Sequence, residues 1–188
     1  MQRYVATPFE TERLLLRPFE PGDVDAVRDV YGRDDVMRYL YEDPVDEVGA
    51  RELVERKIAN ATIDVDGGHV FLAAIEKTSG AFVGDGVIGI ESVAHRLAEL
   101  GFVVHPDHQG RGYATELGVE LLRLGFEALG AHRVIGRTEA RNAASARVLE
   151  KLGMRREAHL VENEWVKGEW QSELVFAMLE HEWRAAHA

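Results

Sequence analysis

Glu99-Leu100-Gly101-Phe102-Val103-Val104-His105-Pro106-Asp107-His108-Gln109-Gly110-Arg111-Gly112-Tyr113-Ala114-Thr115-Glu116 is the stretch whose reading decides the fold. Arg96 to His105 reads as a strand that Pro106 ends. From Gly112 the apolar positions recur at helical spacing, with Ala114, Leu117, Leu121 and Leu124 on one face and Leu122, Phe126 and Leu129 beside it, until Gly130 stops the helix. A strand that passes through a glycine-rich turn into a helix is an anion site, because the first helical amides lack partners and lie at the positive end of the dipole. Gly110 and Gly112 let the backbone approach a bulky anion, and Arg111 can add a cation. A pyrophosphate fits such a site.

Such a turn is diagnostic only in context. There is no Gly-x-x-x-x-Gly-Lys-Ser/Thr string, which excludes a nucleoside-triphosphate P-loop. Gly84-x-Gly86-x-x-Gly89 has the spacing of a dinucleotide fingerprint, but its residues continue as a strand instead of opening a helix, so the spacing reads as chance.

Upstream, Thr11 to Phe19 reads as a first strand. Glu20-Pro21-Gly22-Asp23 opens a helix through Val24, Val27, Val30 and Tyr31, and a second helix is expected from about Asp43-Pro44 to Asn60. Val70–Ile75, Phe82–Val93 and Arg96–His105 form a three-stranded meander. Downstream, Arg133–Thr138 is a strand, and Asn142–Leu152 is a helix with Gly153 at its C-terminal cap. Met154–Trp165 and Ser172–Leu179 are strands around the turn Val166–Glu169. A meander pairs antiparallel and a strand–helix–strand unit parallel, so the order implies one mixed α/β (α+β) domain over residues 1–188.

Composition narrows the function classes. The 188 residues are 46% hydrophobic and 29% charged, as expected for a globular chain. There is no cysteine, which removes disulfides, thiolate metal sites and a cysteine nucleophile. Twenty-two Lys+Arg against 33 Asp+Glu leave a net charge of −11, which disfavours a nucleic-acid partner and leans towards cationic small molecules. No segment has the length of a signal peptide or a membrane span, so a cytoplasmic protein without a membrane partner is expected. His105-x-x-His108 has no metal spacing, and no metal is expected. No Gly-x-Ser-x-Gly elbow is present.

Gln109-x-x-Gly112-x-Ala114 is similar to the acyl-CoA pyrophosphate motif of the GNAT N-acetyltransferases. Thr11-Glu12-Arg13-Leu14-Leu15-Leu16-Arg17-Pro18 resembles the first strand of that superfamily's RimJ/RimL-like branch, and Asn142-x-x-Ser145 through Gly153-Met154 resembles its Asn-x-x-Ser helix. Arg156-Glu157 and Leu179-Glu180-His181-Glu182-Trp183 resemble its C-terminal strands.

The resemblance implies a mixed, mostly antiparallel sheet of about seven strands flanked by about four helices. It also implies direct transfer of an acetyl group from acetyl-CoA, as cosubstrate, to a primary amine, a protein N-terminus or a small molecule. By that analogy the amides of Phe102, Val103 and Val104 bind the pantetheine and polarise the thioester carbonyl. Those of Gln109, Gly110, Arg111, Gly112, Tyr113 and Ala114 bind the pyrophosphate, and Asn142 hydrogen-bonds the pantetheine arm. Glu99, on the strand face shared with Gly101 and Val103, is the candidate base, and Ser145 the candidate near the coenzyme sulfur. Trp165 and Trp170 read as packing residues, and Glu173 as a change at a packing or turn position. A homodimer is common in the family. Succinyl-CoA as donor, a non-catalytic acyl-CoA sensor and an unrelated α/β domain with a structural glycine turn are the alternatives.

Overall fold

The structure, a computed structural model, describes residues 1–187. Its strands are β1 (Tyr4–Val5), β2 (Phe9–Glu10), β3 (Leu14–Arg17), β4 (Thr62–Ile63), β5 (His69–Glu76), β6 (Phe82–Ser92), β7 (Leu97–Val104), β8 (Arg133–Glu139), β9 (Arg155–Val166) and β10 (Glu169–Leu179). Its α-helices are α1 (Val24–Tyr31), α2 (Asp34–Met37), α3 (Glu47–Ala59), α4 (Tyr113–Arg123), α5 (Ala143–Lys151) and α6 (Glu180–Ala186). β1 and β4 form a small ladder, and the other eight strands form one sheet in the order β2-β3-β5-β6-β7-β8-β10-β9. Every neighbouring pair in that sheet is antiparallel except β7 and β8, which flank the crossover through α4.

Helices cover both faces, the arrangement a sheet with two apolar faces requires. On one side α4 and α5 bury Leu117, Leu121, Leu122 and Leu149 against Ile88, Leu100 and Val134. On the other, α1 and α3 bury Val27, Val30, Ala50 and Val54 against Ala73, Phe71 and Val103. The glycines with fingerprint spacing have packing reasons. A Cβ on Gly86 would lie 3.0 Å from Leu117 and Leu121 of α4, and one on Gly89 would lie 3.0 Å from His69.

Several elements differ from the sequence expectation. The first strand is a hairpin of β2 and β3, bent at Thr11, whose amide donates to Leu14 O. The second helix starts at Glu47, capped by Asp46, whose Oδ1 accepts Gly49 N–H at 2.9 Å. The long helix ends in a π turn, Leu124–Ala128. Leu179–Trp183 is not a strand throughout: Glu180 opens α6, where Glu182 accepts the Leu179 amide at 2.7 Å and Trp183 stacks on Phe126. Among the described residues, no helix is long and apolar enough to cross a membrane.

Candidate active site

β7 and β8 pair only from Leu97↔Arg133 to Leu100↔Gly136. Beyond that point β7 continues to Val104 alongside β6, and β8 to Glu139 alongside β10, so the sheet opens into a wedge. His105 N–H donates to Val83 O at 2.9 Å; alternation along the strand turns the peptide groups of Phe102 and Val104 into the wedge. Gln109 Nε2 donates to Val104 O at 3.0 Å and folds the turn back over the strand end.

Gly112 caps α4 in the left-handed region, φ +85°, with no side chain bonded to the first amides. A Cβ on Gly110, also at positive φ, would meet nothing within 4 Å. The free amides of Tyr113, Ala114 and Thr115 therefore face an open cradle, the arrangement a pyrophosphate needs. This turn is clasped from β3. Glu116 accepts the Arg13 amide at 2.8 Å and Arg13 Nε at 2.7 Å, Thr11 Oγ1 also donates to it, and Arg13 Nη1 donates to Arg111 O at 2.8 Å. These bonds hold the Glu116 carboxyl below the usual range against the opposing effect of burial. Its contribution to stability is therefore present above the ordinary carboxylate pKa and lost as pH falls through the folded value. Glu116→Ala is expected to lower stability by about 2 kcal/mol at pH 7, read by denaturant melts. The deficit should shrink towards pH 3, and a deficit that stayed constant would show that the carboxylate charge contributes nothing.

A cavity of about 480 Å³ runs along this cradle between α4 and α5. Phe102, Val103, Val104, Gln109, Gly110, Gly112, Tyr113, Ala114, Asn142 and Ser145 all line it. Arg111 does not: it contributes its carbonyl to the Arg13 clasp and its side chain is exposed. Arg147 and Lys151, one turn apart on α5, bring two cations to the same cavity, and the sequence reading missed both. Asn142 caps α5 through Oδ1, which accepts Ser145 N–H at 3.1 Å, and this leaves its Nδ2 to donate.

A second cavity, of about 730 Å³, lies on the α1/α3 face. Tyr39, Leu40, Phe102, Val103, Asn142 and Ser145 line both, so the two meet where β7 leaves β8. Glu99, Gly101 and Val103 all line the second cavity, while Ala98 and Leu100 are buried on the opposite face. Eight carboxyl side chains reach this cavity, against three cations, Arg56, Lys57 and Arg137.

Burial pushes the Glu99 carboxyl up to about 7; Arg137 opposes, and Glu91 and Glu173 reinforce. Glu173, 7% exposed, is not a turn residue but one of the cavity's acids, and burial raises it too. Deeper in, Lys57 Nζ lies 2.8 Å from Asp85 Oδ2 and donates to Tyr31 OH at 2.9 Å, and Tyr31 OH donates to Asp85 at 2.7 Å. Burial pushes the Lys57 ammonium down and Asp85 opposes it. Trp165 and Trp170 meet edge to face at 5.3 Å outside the cavity, and both are exposed. His105 faces Asp29, with Nε2 3.0 Å from Oδ2.

The geometry is that of two cavities that meet where β7 leaves β8. One cavity has amides and cations for a phosphorylated donor, and the other has a perturbed carboxyl and excess negative charge. Comparison with known proteins agrees. The family model described as acetyltransferase (GNAT) domain matches residues 13–155. The uncharacterized N-acetyltransferase YnaD of Bacillus subtilis (strain 168) is 31% identical over 173 residues, covering 92% of this chain and 97% of that protein. A crystal structure of a GNAT-family acetyltransferase from Bacillus anthracis superposes with a TM-score of 0.84 at 31% identity, over 94% of this chain and all of that one. The spermidine N(1)-acetyltransferase of Vibrio cholerae is 26% identical over 159 residues, 85% of this chain and 88% of that protein. With the motif, the wedge and these relatives in agreement, the chain belongs to the GNAT acetyltransferases and is an acyl-CoA-dependent N-acetyltransferase.

Proposed function

We propose that this enzyme transfers an acetyl group from acetyl-CoA to a small polycationic primary amine. The observation that carries the reading is the acceptor cavity, lined by eight acidic residues against three cations, with the Lys57–Asp85 pair cancelling one of each. Negative potential in a walled cleft concentrates a cationic substrate. The same charge disfavours an acyl donor that ends in a carboxylate, which favours acetyl-CoA over succinyl-CoA. The similarity to a spermidine acetyltransferase is consistent with this acceptor class.

In this reading the pyrophosphate sits on the amides of α4 with Arg147 and Lys151 nearby, and the pantetheine lies in the wedge, taking amide bonds from Phe102 and Val104. A backbone N–H of β7 polarises the thioester carbonyl. The neutral amine nitrogen attacks the carbonyl carbon; the N–C bond forms, the C–S bond breaks, and the amine proton passes to Glu99 directly or through a water. The Ser145 hydroxyl, at the junction of the cavities, hydrogen-bonds the departing sulfur. An amine with a lysine-like pKa is only about one part in a thousand neutral near pH 7.4. A base near 7 is matched to take the proton as attack proceeds.

A protein α-amine is the second reading, favoured by the RimJ/RimL-like Asn142-x-x-Ser145 helix. Thiol release on mixing acetyl-CoA with spermidine, a monoamine and a peptide bearing a free N-terminus separates the two, and a chain without cysteine gives no background. Turnover confined to the peptide would reject the polyamine reading. Donor binding is tested first: acetyl-CoA at about 100 times its Kd is expected to add about 2.7 kcal/mol, a melting shift of roughly 5–10 °C. No shift with acetyl-CoA or free CoA would remove the donor site.

A further inference from the structure

Arg137 was not singled out by any motif, yet it stands at the centre of the acceptor cavity's charge. It is the first residue of β8 beyond the last parallel pair, Leu100↔Gly136. From there its Nη2 lies 3.3 Å from Glu99 Oε2 on β7 and 3.7 Å from Glu91 Oε2 on β6. Glu173 of β10 bears on the same carboxyl from the other side. Four adjacent strands thus each send one charged side chain to one patch, three carboxylates and a single guanidinium.

The remaining charged groups are engaged elsewhere or belong to the opposite wall. Glu139, next but one on β8, pairs with Arg141 at 2.8 Å, and Glu164 of β9 accepts Tyr41 OH at 2.7 Å. Glu42 comes from the loop after α2, and Glu52 and Arg56 from α3. Lys57 is held by Asp85. The nearest counter-ion to Glu99 is therefore Arg137.

We propose that Arg137 is a positioning residue for the acceptor-side base: it fixes the Glu99 carboxylate at the closed end of the wedge and supplies the counter-charge that readies it to take the amine proton. This rests on the acetyl-transfer reading above. A guanidinium does not give up its proton in this pH range, so Arg137 holds the base without competing with it as an acid. Without it, burial and the two neighbouring carboxylates act on Glu99 unopposed. The base would then stay protonated at pH values where the native enzyme turns over.

The test is the pH profile of kcat/KM for a cationic amine in the native enzyme, R137Q and R137K, alongside the ¹³C titration of the Glu99 carboxyl, assigned by its loss in E99Q. R137Q is expected to move the acid limb and the Glu99 titration upward by about one pH unit, a tenfold loss at fixed acidic pH. The rate should recover towards the native value above the limb. R137K, which keeps the charge but not the planar fork, should shift both in the same direction by less, and it serves as the test if R137Q does not fold. A uniform loss at every pH, or a Glu99 titration unmoved in either variant, overturns the proposal. The titration is read without acceptor, so an enzyme that acetylates none of the amines would sink the proposed reaction while the Arg137–Glu99 coupling is still measured.

Discussion

Glu99→Gln is expected to lower kcat/KM for a cationic amine by about 10²- to 10⁴-fold, the usual contribution of a positioned base. Expressed per neutral amine, the native rate should fall about tenfold per pH unit below 7, because burial holds the carboxyl up at about 7 and its protonated form cannot accept a proton. Burial is the leading cause of that shift, and Glu91 and Glu173 add to it. The stability effect has the opposite sense. A carboxyl whose pKa is raised on folding binds more protons folded than unfolded, so its contribution is fully present below the ordinary carboxylate pKa and is lost as pH rises through about 7. Above pH 7 the glutamine variant should therefore melt no lower than the native protein while being nearly inactive. Steady-state kinetics with parallel thermal melts reads both. A variant that keeps more than a tenth of native activity across the profile would remove Glu99 from the chemistry.

Gly84→Ala is expected to be among the most destabilising single-methyl additions in the sheet. Gly84 has φ +150° where β6 runs beside the end of β7, and a Cβ there would lie 2.1 Å from Val103 O and 2.9 Å from Val104 Cα. Those are backbone atoms, so relief requires moving the strand that carries the wedge amides. A cost of about 3 kcal/mol or more is expected, roughly 6–12 °C in Tm, together with weaker binding of acetyl-CoA. Gly22→Ala, with nothing within 4 Å and no positive φ, is the control and should melt within about 2 °C of native. A Gly84→Ala protein as stable as that control would mean that β7 yields easily at Val103.

The donor half of this site was legible in sequence because it is local. In the proposed reading Gln109 to Ala114 act largely through their own backbone, and glycines at positive φ are visible as letters. The same holds for Asn142 and Ser145, one cap and one helical turn. Period-2 alternation also put Glu99 on the right face with Gly101 and Val103. The acceptor half was not legible. Glu91, Arg137 and Glu173 come from three strands that flank Glu99 only once the sheet order is known, and each alone reads as a solvated strand charge. Lys57 and Asp85 lie on a helix and a strand 28 positions apart and are paired only by the packing of α3 over the sheet. Arg147 and Lys151 had a readable signal, two cations at i and i+4 beside the Asn142 cap. The strand assignment of Leu179–Trp183 rests on the resemblance alone; Glu182, three residues after Leu179, is the helix signal the sequence itself carries.

The parting of β7 from β8 gives this sheet a free edge in its interior. An exposed edge on the outside of a protein invites other chains to pair with it and aggregate. Here the wedge-facing N–H groups of Phe102 and Val104 lie on a strand that parts from its neighbour after Leu100↔Gly136, in a slot that narrows to a closed end. A folded polypeptide cannot enter such a slot, whereas a slender amide-bearing chain such as pantetheine can lie in it as a surrogate strand. The enzyme therefore keeps the adhesiveness of an unfinished sheet and admits only ligands thin enough to complete it.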